Sequence, residues 1–351
     1  MRKVLTLLIL VVFMVGPGLC AEPDPDLAKE VQIGRKAIAR IEEEWPLTTD
    51  PAVTSKLEMI ASRLEPYMTR RINWEIRLVK ADAVNAFCIP GGFIFFTTGM
   101  IKALRTDSEL AAVMAHEMIH ADRKHSLRMA AESNKVTLGA LAVMLLSGGA
   151  AAPIILAQVA QVAITSSYTM ELEAEADRLG LEALIQSGYS PTGMITVFEH
   201  FIAEEYRQPI HEYGIYMNHP ESPKRLADAV KTLHERNIPI ERKYSLGLLR
   251  TELREGSNKI ELLVDGQAVA TGNKSGEIRA VLSGMRETLD KYLQLELAPY
   301  ELHVERGALY IGNHFTAGQV QGITSPEKIR ENLMNAINRA RAKYPTSKFF
   351  K

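Results

Sequence analysis

The sequence predicts a mostly helical α+β fold in two parts, and three observations carry that expectation. Capped segments of helical periodicity dominate up to about residue 240. Only short strand-like runs interrupt them, at Trp74–Val79 and Phe93–Thr98. Beyond about Ser245 the texture changes to strand–turn–strand–helix, given twice. A chain of 351 residues with 46% apolar and 24% charged residues has the composition of a globular protein of about two domains. Forty-one basic against 42 acidic residues leave a net charge of −1, so no basic excess exists to bind nucleic acid.

Arg2 and Lys3 precede an uncharged run from Val4 to Val15 and then Gly16-Pro17-Gly18-Leu19-Cys20-Ala21. Basic start, apolar stretch and small residues are the pattern of a secretory signal peptide, here residues 1–21. The apolar run falls short of the ~20 residues that span a bilayer. An uncleaved anchor and a lipid-bearing Cys20 are the other readings; Leu19 fits the second poorly. The expected location is periplasmic, with membrane association open. Without Cys20, Cys88 is the single thiol, and a buried apolar role is expected for it.

Leu27–Glu44 reads as an amphipathic helix. Asp50-Pro51 opens a second helix through about Arg63. Asn85 to Gly92 is turn-rich, and Phe93–Thr98 reads as a strand. Thr106-Asp107-Ser108-Glu109 is a capping box that opens a helix from about Asp107 to at least Ala130. No charge occurs between Lys135 and Glu171. This stretch, 136–170, reads as a packed or membrane-surface helical hairpin, or as one span interrupted by Gly148, Gly149 and Pro153. Helices follow at about Met170–Gln186, after Ser190-Pro191, and from Ser222-Pro223 to about Arg236. Asp265-Gly266 and Arg306-Gly307 are the hairpin turns of a small ββαββα-like α+β domain over 245–351.

His116-Glu117-Met118-Ile119-His120 is H-E-x-x-H on the helix that the capping box starts. Imidazoles at i and i+4 share one helix face, so both can reach one Zn2+. Glu117 can serve as the base for a metal-activated water. A packed helix that happens to carry two histidines is the bland alternative. A third ligand has three candidates. His125 stands nine residues after His116, where the metzincin pattern needs ten. Glu173 lies in the acidic run Glu171–Asp177, which is otherwise an ordinary solvated face. His219 lies in Asn218-His219-Pro220. Asp177, four residues after Glu173, can orient a ligating imidazole.

Taken together, His116-Glu117-x-x-His120, Glu173-x-x-Ala176-Asp177, Asn85-Ala86-Phe87 with Pro90-Gly91-Gly92, and His219-Pro220 with Arg225 resemble the gluzincin peptidases of metallopeptidase family forty-eight. That group holds the HtpX, Oma1-like and CAAX-prenyl proteases, and the resemblance runs from about Val31 to Leu233. It implies a zinc-protease domain over 22–240 with one Zn2+ held by His116, His120 and Glu173. Glu117 is then the general base, and Phe93, Ile94, Phe95 and Phe96 form an edge strand that pairs with substrate. His219 and Arg225 line the site, stabilising an oxyanion or letting His219 cap the metal. The implied activity is a zinc-dependent metalloendopeptidase acting on unfolded or misassembled cell-envelope proteins. The rivals are a zinc-binding envelope chaperone that rarely cuts and a membrane-embedded processing protease. His125 is expected to be a surface residue rather than a support of the site.

Overall fold

The computed structural model describes residues 26–164, 168–207 and 222–344. The signal-peptide stretch 1–21 and His219 lie outside the described residues.

Helix α1 (Leu27–Glu44) lays one apolar stripe, Ala37, Ile38 and Ile41, on the first sheet. The sheet is built from β1 (Leu47–Thr48), β2 (Glu75–Val79), β3 (Ala86–Ile89) and β4 (Phe93–Thr97), in the order β1-β2-β4-β3. The β2–β4 pair is parallel and the others are antiparallel. Helix α2 (Pro51–Leu64) crosses between β1 and β2, capped by Asp50 Oδ1, which accepts from Ala52 N and Val53 N. Alternation sends Phe87, Ile89, Phe93 and Phe95 toward α1. It sends Ala86, Cys88, Ile94 and Phe96 into the main helical core.

The expected edge strand needs correcting. Phe93–Phe96 lies in the sheet interior, paired with β2 on one side and β3 on the other. The Pro90-Gly91-Gly92 turn folds β3 back along β4, so β3 takes the outer place. Gly34 lets α1 approach this turn: a β-carbon there would stand 2.1 Å from the Pro90 carbonyl oxygen.

After α3 (Thr98–Ala103) comes α4 (Asp107–Asp122), the central helix, buried on every side from Glu109 to Asp122. Thr106 Oγ1 accepts from Glu109 N, and Glu109 Oε2 accepts from Arg105 N. The single helix expected as far as Ala130 is in fact two. Asp122 pins the end of α4 by accepting from Thr69 Oγ1 at 2.7 Å and Arg70 N at 2.8 Å. Lys124 then turns left-handed (φ 56°), and α5 (His125–Ser133) leaves in a new direction.

Helices α6 (Leu138–Ser147) and α7 (Ala152–Ile164) form a hairpin packed on α1 and α5. Leu141, Leu145, Ile155 and Val159 face inward with Ile33 and Leu127. Val143 and Ile154 stand 65% and 73% exposed. Among the described residues no single helix is long and apolar enough to cross a membrane; α5 and α6 qualify only as a pair bent by 89°. Helices α8 (Met170–Ser187), α9 (Thr192–Arg207) and α10 (Ser222–Glu235) complete the main helical layer.

A short buried helix, α11 (Arg242–Leu246), leads into a second core built on Leu262, Leu282, Leu289, Leu333 and Ile337. Each expected two-stranded block here has three strands. The first is β5 (Thr251–Glu255), β6 (Lys259–Val264) and β7 (Gln267–Asn273), followed by α12 (Gly276–Tyr292). The second is β8 (Leu302–Glu305), β9 (Ala308–Ile311) and β10 (His314–Gly318), followed by α13 (Pro326–Lys343). The added strands β5 and β10 are sheet edges, largely polar or exposed, and so lack a clean period of two.

Polar bonds join the two cores. Glu199, buried on α9, accepts from Arg242 Nη2 at 2.6 Å and from Tyr344 Oη. Lys243 Nζ donates to the Leu289 and Asp290 carbonyls at the end of α12, each at 2.9 Å. Thr106 Oγ1, the cap of α4, also donates to the Ser245 carbonyl.

Candidate active site

The site sits where α8 crosses α4. Gly180 lies at the crossing, its α-carbon side facing the His116 and Ala115 backbone, where a β-carbon would make ordinary contact at 3.4–3.5 Å. One turn of α4 separates His116 and His120, and their Nε2 atoms stand 3.0 Å apart. Glu173, near the start of α8, brings Oε2 to 3.5 Å from His116 Nε2 and Oε1 to 3.4 Å from His120 Nε2. All three residues are buried, and they form the metal-binding-type cluster found among the described residues.

These spacings test whether a zinc ion fits. Bonds of about 2.0–2.1 Å in tetrahedral geometry put neighbouring donors about 3.3–3.4 Å apart. The three observed separations bracket that figure, and the donors are the N and O types zinc accepts. The residues therefore fit the group.

A layer of ion pairs holds these donors. Asp177, one turn beyond Glu173 on α8, places Oδ1 3.0 Å from His116 Nδ1. Arg225 on α10 donates Nε and Nη2 to the two Asp177 oxygens, each at 2.6 Å, and Nη1 lies 3.0 Å from Glu173 Oε2. Burial alone raises the Asp177 carboxyl, but the Arg225 charge and hydrogen bonds outweigh it and bring it down to about 2. Desolvation opposes the imidazolium of His116, yet Glu173 and Asp177 leave its pKa raised.

Glu117 is 1% exposed. Desolvation pushes its carboxyl up to about 8, against the opposing charge of His116. Its Oε1 has no hydrogen-bond partner among the described residues. Cys88, buried on β3, contacts it, and burial raises the thiol too. Beside His116 and Glu117 opens a cavity walled by Ala112, Val113, Met194, Val197, Phe198 and Phe201.

Six of the residues singled out from the sequence thus converge: His116, Glu117, His120, Glu173, Asp177 and Arg225. Phe93–Phe96 lies in the sheet beneath. Two further residues belong to the cluster. Tyr168 stacks on the His120 ring with centroids 4.0 Å apart. His125 is wholly buried, not a surface residue, and its Nδ1 lies 2.8 Å from His120 Nδ1. The nine-residue interval from His116 was the available signal for His125. It reads as a miss because a continuous helix would swing residue 125 away.

Two histidines one turn apart and a glutamate from a crossing helix define the gluzincin class of site. Residues 48–233 match the profile of Peptidase family M48, and the chain belongs to that family. It is 30% identical over 223 residues to the beta-barrel assembly-enhancing protease of Escherichia coli (strain K12), covering 60% of this chain and 45% of that protein. It is 32% identical over 145 residues to the mitochondrial metalloendopeptidase OMA1 of Arabidopsis thaliana, covering 41% and 28% respectively. Metalloprotease LoiP of Escherichia coli (strain K12) is 30% identical over 161 residues, covering 44% of this chain and 60% of LoiP. The chain thus spans under half the length of the first of these relatives.

Proposed function

We propose that this protein is a zinc metalloendopeptidase that cuts unfolded or misassembled proteins of the cell envelope. The observation that carries the reading is the His116–His120–Glu173 triangle with the desolvated Glu117 carboxyl beside it. Zinc, when bound, supplies the Lewis acidity that makes water nucleophilic near neutral pH and polarises the scissile carbonyl. Glu117 takes the proton of the attacking water and returns it to the leaving amine nitrogen. Asp177 orients His116, and Arg225 fixes Asp177 and Glu173. All three donor nitrogens of Arg225 face those carboxylates, which supports a positioning role over an oxyanion role. The apolar cavity beside His116, about 30 Å³, has room for a methyl-sized group only. The outer strand β3, rather than β4, is the sheet edge, but it is buried beneath α4 and α7, so an extended substrate can pair with it only if α7 moves away. Family membership and the printed name of the assembly-enhancing relative support protein substrates. The basic, then apolar, then small-residue start supports a periplasmic location. Osmotic-shock fractionation that leaves the chain with cytoplasmic markers would refute that placement.

The test is cleavage of unfolded casein by the purified chain. Wild-type cutting that both Glu117→Gln and a chelator abolish, with recovery on zinc add-back, is expected. Absence of both cutting and bound zinc sinks the reading. Tight client holding without any cutting, with zinc retained and in His219→Ala as well, would favour the envelope chaperone.

A further inference from the structure

We infer that His125 is a positioning residue of the metal site: it fixes which nitrogen of His120 carries the proton. The inference rests on the reading of His116, His120 and Glu173 as zinc ligands.

Four ring nitrogens, two on His120 and two on His125, lie along one line and share two protons. His120 Nε2 is the nitrogen that faces His116 and Glu173. To bind a cation it must offer a lone pair, so the ring's one proton sits on Nδ1. That Nδ1 lies 2.8 Å from His125 Nδ1. Between two ring nitrogens at that distance one donates and the other accepts. His120 donates, so His125 Nδ1 accepts, and the His125 proton belongs on Nε2. His125 Nε2 faces Glu175 Oε2 at 3.5 Å, an acceptor suited to that proton. The opposite arrangement puts a proton on His125 Nδ1, makes His120 Nδ1 the acceptor, and leaves His120 Nε2 protonated and unable to ligate.

The surroundings hold this line in place. His125 is fully buried at the first residue of α5, where the left-handed Lys124 turns it back toward α4. Tyr168 covers the face of the His120 ring, and its own ring meets His125 edge-on at 6.0 Å between centroids. Glu175 is on α8, two residues beyond Glu173, and it is steadied by Arg128 Nη1 at 3.4 Å and Arg123 Nε at 3.8 Å. The two candidate ligand histidines therefore have separate supports, Asp177 on α8 and His125 on α5. Asp177 serves His116, and His125 serves His120, with Glu175 Oε2 3.5 Å from the far side of the His125 ring.

The test is the zinc dissociation constant of the full chain, measured by competition with a chromophoric chelator. His125→Phe keeps the ring volume and loses the acceptor. His125→Asn places an amide oxygen where Nδ1 stood. The expected result is a 10–100-fold weaker zinc affinity for His125→Phe. His125→Asn should stay within about threefold of wild type, as a retained acceptor requires. A residue that only fills space would show the reverse order. His125→Phe equal to wild type, or His125→Asn as weak as His125→Phe, overturns the inference while leaving the zinc site standing. A wild type that binds no zinc overturns the reading of the site itself. Should His125→Phe fail to fold, the 15N shifts of the zinc-bound wild type decide. A proton on His125 Nε2 supports the inference, and one on Nδ1 overturns it.

Discussion

Glu117 offers the sharpest physical prediction, because its carboxyl is buried before any reaction begins. In the unfolded chain it titrates at its ordinary 4.5; in the metal-free fold desolvation moves it to about 8. The sign follows from linkage. Below pH 4.5 the group is protonated in both states and costs the fold nothing. Between 4.5 and about 8 the unfolded state releases its proton while the folded state keeps it, so stability falls as pH rises. Each unit of separation is worth about 1.36 kcal/mol, and from pH 5 to pH 8 the loss comes to about 3–4 kcal/mol. Glu117→Gln removes this titration and keeps the side chain's shape. Urea unfolding of chelator-treated protein at pH 5 and pH 8 is the assay. The variant should gain on the wild type by about 3–4 kcal/mol between the two pH values. A difference between the two proteins that stays constant from pH 5 to pH 8 refutes the reasoning, since it means that Glu117 is solvated. Loading with zinc should shrink the effect, because a nearby cation favours the carboxylate.

Two other perturbations probe different layers. Arg225→Ala leaves Asp177 and Glu173 buried without their shared cation, and removal of one partner from such a pair costs about 3–5 kcal/mol; a loss under about 1 kcal/mol in urea unfolding of the metal-free chain contradicts the clamp. Val143→Asp with Ile154→Asp puts two charges on the exposed apolar hairpin. If 136–170 touches a membrane surface, cosedimentation with anionic lipid vesicles should drop at least tenfold, whereas equal pelleting of variant and wild type removes that reading.

The site was largely legible because its residues obey local rules. Thr106 and Glu109 announce the start of α4, and i, i+4 spacing then places His116 and His120 on one face. Glu173 and Asp177 repeat that spacing on α8. What was misread depends on neighbours distant in sequence. Phe93–Phe96 has the same apolar texture at an edge or in an interior, and only β3 folding over it decides. The break after Asp122 is imposed by Thr69 and Arg70, some fifty residues earlier, and so the approach of His125 to His120 was hidden. Strands β5 and β10 are stabilised by their partners β6 and β9 more than by their own pattern.

The bonds that join the two cores also set an order of events during synthesis. Glu199 meets Arg242 43 residues later in the chain and Tyr344 145 residues later. Thr106, which begins the helix bearing both histidines, is tied to Ser245. A chain emerging from its N-terminus has the whole H-E-x-x-H helix and Glu173 in hand while these ties are still missing. Glu199 then lacks both partners, and the first turn of the helix that carries His116 and His120 is held by one anchor fewer. Tyr344, at the end of α13, completes the framework, so a chain truncated or stalled before it carries the chemical groups without the full support that holds them in register.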